Sequence, residues 1–220
     1  MTGKNILLPQ SLPSFVEVYP NIINRLQSTG AFRTSAHKSP NHIIVNEYLP
    51  GQGIMDGPAY HPVVATISLG SHTVFHYYKY TSGTEGSGGS SDSTARVIDP
   101  VPVLSVFLEP RSAIITTGSL YTSHLHGQVL MAGCLSLHPN HSPQLRSIRE
   151  VEGDTIIAGG NDSHPPKLAD LNVEIANWRL LAGAQVKEAV IKGGTLQRGV
   201  RYSLTCRDVE KVASRAFLRR

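Results

Sequence analysis

This sequence predicts a mainly β (α+β) fold with a few flanking helices, on three observations. Hydrophobic residues make up 40% of the 220 and charged residues only 16%, with 20 Gly and 14 Pro; such a mix suits short strands joined by turns better than long helices. Runs of β-branched and aromatic residues recur at strand length, bounded by turn-forming residues. A helical stripe is confined to the amino end. At 23.8 kDa the chain can bury one substantial core, so a single domain over residues 1–220 is expected.

Taken in order, residues 11–26 place Phe15, Tyr19, Ile22, Ile23 and Leu26 at intervals of three and four. Ser11 suits the cap and Pro13 the first turn, while Pro20 kinks or splits the helix. A helical lead-in over 1–40 follows. Residues 43–49 read as a strand, and Pro50-Gly51-Gln52-Gly53 turns the chain out of it. Residues 62–69 and 73–80 read as adjacent strands across Gly70-Ser71-His72. Between 81 and 94 nearly every residue is Ser, Gly or Thr, so 81–98 is expected to be a flexible surface insertion.

Strands are expected again at 101–108 and 112–117, broken by Glu109-Pro110-Arg111, and at 120–129, which carries His124 and His126. Residues 137–168 are rich in Pro, Asn, Ser, Asp and His with little periodicity, which predicts an irregular, flexible insertion over 138–168. The stretch 170–181 fits a strand or a short helix, and period alone does not decide. Residues 199–209 form the last expected strand, before a basic tail at 211–220.

A net charge of +4 and a pI near 9.1 are compatible with an acidic partner such as nucleic acid. Two cysteines, Cys134 and Cys206, and no apolar signal core predict a reducing compartment, cytoplasmic or nuclear. No apolar run approaches the roughly 20 residues of a membrane-spanning helix, so no membrane contact is expected. A monomer is the expected state. The absence of a phosphate-binding Gly-rich motif argues against a nucleotide-hydrolysing enzyme.

Two short motifs carry the chemistry, Asn46-Glu-Tyr48-Leu-Pro50-Gly51 and Arg201-Tyr-Ser-Leu-Thr-Cys-Arg207. Side chains alternate along a strand, so Asn46 and Tyr48 share one face, as do Arg201, Ser203, Thr205 and Arg207. Two guanidinium forks, a phenol and a carboxamide suit the oxygens of a small dicarboxylate, and Asp56 beyond the first strand could hold a metal. His124 and His126 would face the same way on a strand. Taken singly, Arg201 and Arg207 read better as ordinary exposed strand cations and Asn46 and Tyr48 as a strand end; their joint arrangement reverses that order. No His-x-Asp or His-x-Glu occurs in the chain.

The order Asn-x-Tyr-x-Pro-Gly, Asp-Gly, Leu-His-Gly and Arg-Tyr-Ser-Leu-Thr-x-Arg resembles the AlkB-like 2-oxoglutarate- and Fe(II)-dependent dioxygenases. The runs N-H-I-I-V-N-E-Y-L-P-G-Q-G-I-M, D-G-P-A-Y-H-P-V-V-A-T-I-S-L-G-S-H-T-V and L-E-P-R-S-A-I-I-T-T-G are similar to the sixth eukaryotic branch. The resemblance spans roughly residues 40–209, with interruptions. It implies a double-stranded β-helix, or jelly roll, holding Fe(II) by two His and one carboxylate, with 2-oxoglutarate and dioxygen as cosubstrates.

On this resemblance Asp56 is the carboxylate ligand and His126 the distal His. Arg201 pairs with the far carboxylate of 2-oxoglutarate, helped by Asn46 and Tyr48; Arg207 contacts the near carboxylate or fixes Asp56. The family pattern places a His two residues before the Asp, whereas Met55 here runs straight into Asp56. His61 is the nearest substitute donor, with His124 another. Two functions follow: an oxygenase that dealkylates nucleic acid or protein, impaired by the missing ligand, or a non-catalytic 2-oxoglutarate-binding protein.

Overall fold

The computed structural model describes residues 8, 10–52, 62–81, 97–125 and 151–213. The helical stripe at the amino end is divided into α1 (Ser14–Glu17) and α2 (Ile22–Ser28). Pro20, which has no N–H to give a helix, lies between them. Asn21 starts α2, its Oδ1 accepting the Asn24 N–H at 2.8 Å, a side-chain cap on an otherwise unpaired donor.

Strands β1 (His42–Tyr48), β2 (Val63–Gly70), β3 (Thr73–Thr81), β4 (Val97–Ile98), β5 (Leu104–Leu108) and β6 (Ser112–Thr117) follow. Of residues 120–129, expected as a strand, 126–129 lie outside the described residues; in the rest, α3 (Gly118–Thr122) precedes a two-residue β7 (His124–Leu125). Gly118, at φ 57°, bends the chain out of β6, and the Thr122 hydroxyl donates to the Gly118 carbonyl at 3.2 Å.

Within the stretch expected to be irregular, β8 (Gly153–Ile157) and β9 (Lys167–Leu168) form. The inward residue Asp154 is charged, which hides the strand from an apolar pattern; Arg198 supplies its partner. Residues 170–181 contain both alternatives, β10 (Val173–Glu174) and a 3-10 turn at Trp178–Leu180. Then come α4 (Ala184–Lys192) and β11 (Gly194–Gln197), which no sequence pattern announced, and β12 (Arg201–Arg207).

The strands make antiparallel sheets ordered β1-β12-β2-β6, β4-β3-β5 and β10-β9-β8-β11, with β7 also on β3. In the first sheet Tyr48 lies opposite Arg201 and Asn46 opposite Ser203. Its two faces differ in chemistry. One is apolar, with Ala65, Leu204 and Cys206 packed on Val16, Leu26 and Phe32 of the helical region. The other buries Ser68, Thr116, Arg201, Ser203 and Thr205.

That polar face is covered by β3 and β5, where Phe75, Tyr77 and Leu108 pack with Tyr48 and Ile114. The Tyr77 and Thr116 hydroxyls share a 2.6 Å hydrogen bond across the layer. Burial pushes the Tyr77 phenol up to about 12, although its hydrogen bond to Thr116 pulls the other way. On the far side of β3 and β5, Val74 and Phe107 join Ile156, Ile175, Trp178 and Val190 in a second core. An antiparallel, mainly β molecule with few helices results, and its layered interior has one polar wall.

Candidate ligand cleft

A small cleft opens at the Tyr48 end of that polar wall. Tyr48, Gln52, His72, Thr73, Arg198 and Arg201 line it. Local chemistry brings them together. The turn after β1 closes on itself, with Gln52 N–H donating to the Leu49 carbonyl at 3.0 Å and Leu49 N–H to Gln52 Oε1 at 2.8 Å. Gly70, at φ +80°, turns β2 into β3 hard against Val200, whose backbone oxygen a Cβ there would overlap. Gly199 N–H donates to Ser71 Oγ at 2.8 Å, so the β2–β3 corner is tied to the entry of β12.

Arg201 is the central group. Only 4% exposed, it donates from Nε and Nη2 to Ser68 Oγ at 3.2 and 2.9 Å. Its Cζ lies 5.4 Å from the Tyr48 ring centroid, within cation–π range. Its remaining nitrogen, Nη1, is buried with no hydrogen-bond partner. Burial lowers the guanidinium to about 10, which leaves it a cation at neutral pH. A buried polar donor left unpaired costs about 1–3 kcal/mol, more when charged. An incoming carboxylate would remove that cost.

The neighbouring cation is already neutralised. Arg198 donates to both carboxylate oxygens of Asp154, Nε to Oδ2 at 2.8 Å and Nη2 to Oδ1 at 2.7 Å. His72 stacks on Phe107 with ring centroids 5.0 Å apart and planes 6° from parallel. Its Nε2 lies 3.4 Å from Asp154 Oδ2, at ion-pair distance but outside hydrogen-bond geometry. Burial would raise the Asp154 carboxyl, but His72 and Arg198 outweigh it and hold the group below its ordinary value.

Of the sequence-derived ligand residues, Tyr48 and Arg201 meet in the cleft. Asn46 is one strand repeat inward on the same face, opposite Ser203. Arg207 lies at the other end of β12 opposite His42 and is not among the residues lining the cleft. Burial first, then the charge of Arg207, lowers the His42 pKa. The alternative of exposed strand cations is corrected: Arg201 and Arg207 are both buried, on the face of β12 that also buries Ser203 and Thr205.

Asp56, His61 and His126 lie outside the described residues. Among the described residues no group of three or more His, Cys, Asp or Glu could hold a metal, and none of the helices is long and apolar enough to cross a membrane. Sequence reasoning missed His72, Thr73, Asp154 and Arg198. Arg198 stands three residues before Arg201, which was the available signal; the Asp154 partnership, across 44 positions, left none.

No family model matches the chain. A protein of Danio rerio, Probable RNA/DNA demethylase ALKBH6, is 32% identical to it over 174 residues, 76% of this chain and 68% of that protein.

Proposed function

This chain belongs to the AlkB family, and from that premise we propose that it is a 2-oxoglutarate- and Fe(II)-dependent dioxygenase that dealkylates nucleic acid. The observation that carries the proposal is Arg201 Nη1, a buried cationic donor without a partner beside Tyr48. A carboxylate is the ligand that fits it. The name of the zebrafish relative, Probable RNA/DNA demethylase ALKBH6, favours nucleic acid over protein as substrate. Facing antiparallel sheets with a polar wall between them support the double-stranded β-helix.

In this reading Arg201 pairs with the far carboxylate of 2-oxoglutarate and the Tyr48 hydroxyl donates to it. The Asp154–Arg198 pair keeps the second guanidinium from competing. Phe75, Tyr77 and Leu108, all buried, close the wall behind the ligand and exclude water. Asp56 and His126, with His61 as the nearest third donor, would hold iron. With iron and dioxygen, 2-oxoglutarate supplies an oxidative decarboxylation to succinate and carbon dioxide, coupled to hydroxylation of a substrate carbon–hydrogen bond.

A second reading is favoured by one observation, the absence of a His two residues before Asp56. With that donor gone, the chain would bind 2-oxoglutarate without turning it over. Calorimetric titration with 2-oxoglutarate, alongside an Fe(II)-dependent succinate assay on an alkylated oligonucleotide, tests both. Binding with succinate formation supports the oxygenase, and binding alone supports the second reading. No binding to folded protein overturns both.

A further inference from the structure

Among the described residues, three that line the cleft carry a buried polar atom without a hydrogen-bond partner: Arg201 Nη1 on β12, Thr73 Oγ1 on the first residue of β3, and His72 Nε2 just before it. His72 Nε2 has Asp154 Oδ2 at ion-pair distance, which leaves Arg201 and Thr73, from opposite layers. Thr73 is 1% exposed and lies opposite Leu108. Strand alternation sets it on the same side of β3 as Phe75 and Tyr77, toward the polar wall. For packing alone a valine would fill this position, since it matches threonine in shape and carries no hydroxyl to leave unpaired. A buried hydroxyl without a partner is destabilising unless something arrives to bond it.

We infer that Thr73 is a ligand-contacting residue: its hydroxyl donates to the same terminal carboxylate that Arg201 grips. The cleft would then favour a 2-oxo acid that ends in a carboxylate over one of similar length that ends in a methyl group. This rests on the reading of the cleft as a 2-oxoglutarate site. It goes beyond that reading in assigning a role to a residue outside both sequence motifs. Nothing covalent is asked of Thr73; it selects the ligand by its far end.

The test needs no turnover. Full-length wild type, Thr73→Val, Thr73→Ser and Arg201→Gln are titrated calorimetrically with 2-oxoglutarate and with 2-oxovalerate, which lacks the second carboxylate. Thermal melts are recorded without ligand. Thr73→Val is expected to weaken 2-oxoglutarate binding about tenfold or more, the effect of losing a hydrogen bond to a charged group. Thr73→Ser should restore it, 2-oxovalerate affinity should not change, and the ligand-free Thr73→Val protein should melt no lower than wild type.

Wild-type affinity for 2-oxoglutarate in Thr73→Val, with binding lost in Arg201→Gln, would overturn the inference and leave the cleft assignment standing. An equal loss for both ligands, or a lower melting temperature without ligand, would make Thr73 a packing residue and also overturn it. Folded wild type that binds no 2-oxoglutarate defeats the site assignment, and this inference with it.

Discussion

Asp154 grips Arg198 through both carboxylate oxygens, at 2.8 and 2.7 Å, and in doing so decides which arginine of the cleft remains available. Arg198 and Arg201 stand three residues apart and line the same space, yet among the described residues only the first is paired with a carboxylate. Two uncompensated buried cations so close together would repel each other. Neutralising one makes the other tolerable, and Arg201 keeps a free donor.

Replacing Arg201 should therefore separate binding from folding. Arg201→Gln is expected to weaken 2-oxoglutarate roughly a hundredfold, the scale on which truncating a buried charge pair acts. Arg201→Lys, which keeps the charge but loses the planar fork, should lose less, roughly tenfold. Calorimetry reads both, and circular dichroism checks that the fold is retained.

Asp154→Asn should destabilise the folded chain by about 3–5 kcal/mol at pH 7, because it removes the buried carboxylate to which Arg198 Nε and Nη2 both donate. The acid side has a defined sign. A carboxyl held below its ordinary 3.8 stabilises the fold above that value and loses the contribution as pH falls through the lowered one. Urea unfolding between pH 7 and pH 2 should show a steep loss in the wild type and a shallower one in Asp154→Asn. Asp208 also lies below its ordinary value. Its burial is outweighed by hydrogen bonds from Ser35 and His37, so part of the acid loss should survive the substitution.

Gly70→Ala should cost more than an ordinary surface change. The position has φ +80°, and an added Cβ meets the Val200 backbone oxygen. Neither can be relieved by rotating a side chain, so about 2 kcal/mol or more is expected from strain and displacement together. Because the corner also carries His72 and Thr73, 2-oxoglutarate affinity should fall alongside the denaturation midpoint.

Cys206 should be inert in the folded protein. It is fully buried, and burial pushes its thiol up to about 12, so almost no thiolate exists at pH 8. Iodoacetamide labelling followed by peptide mapping should leave Cys206 unmodified in native protein and label it in urea. Rapid native labelling would mean that the β12 face opens.

The sheet bearing the site was legible because its strands obey simple rules. In β2 and β12 apolar residues alternate with others, and β1 and β3 are rich in β-branched and aromatic residues. The Tyr48–Arg201 pairing follows from two such strands placed in register. What was not legible depends on partners distant in sequence. Asp154 disguises β8 because its compensation comes from Arg198, and α4 depends on Glu109, whose carboxylate accepts the Ala182 and Gly183 N–H groups at 2.8 and 2.9 Å. Thr73 looked like an ordinary strand residue. Only its burial without a partner distinguishes it.

One side chain has a consequence beyond the site. Asn177 donates to the Phe107 carbonyl at 2.8 Å and accepts the Phe107 N–H at 2.7 Å, repeating with one amide what a neighbouring strand would do. The Ala176 N–H adds a bond to the Ser105 carbonyl at 2.9 Å. Strand β5 is the last of its sheet, and an unguarded last strand is a template on which other chains aggregate. Asn177 acts as a molecular selvedge, a finished border that keeps the sheet from recruiting another copy of itself.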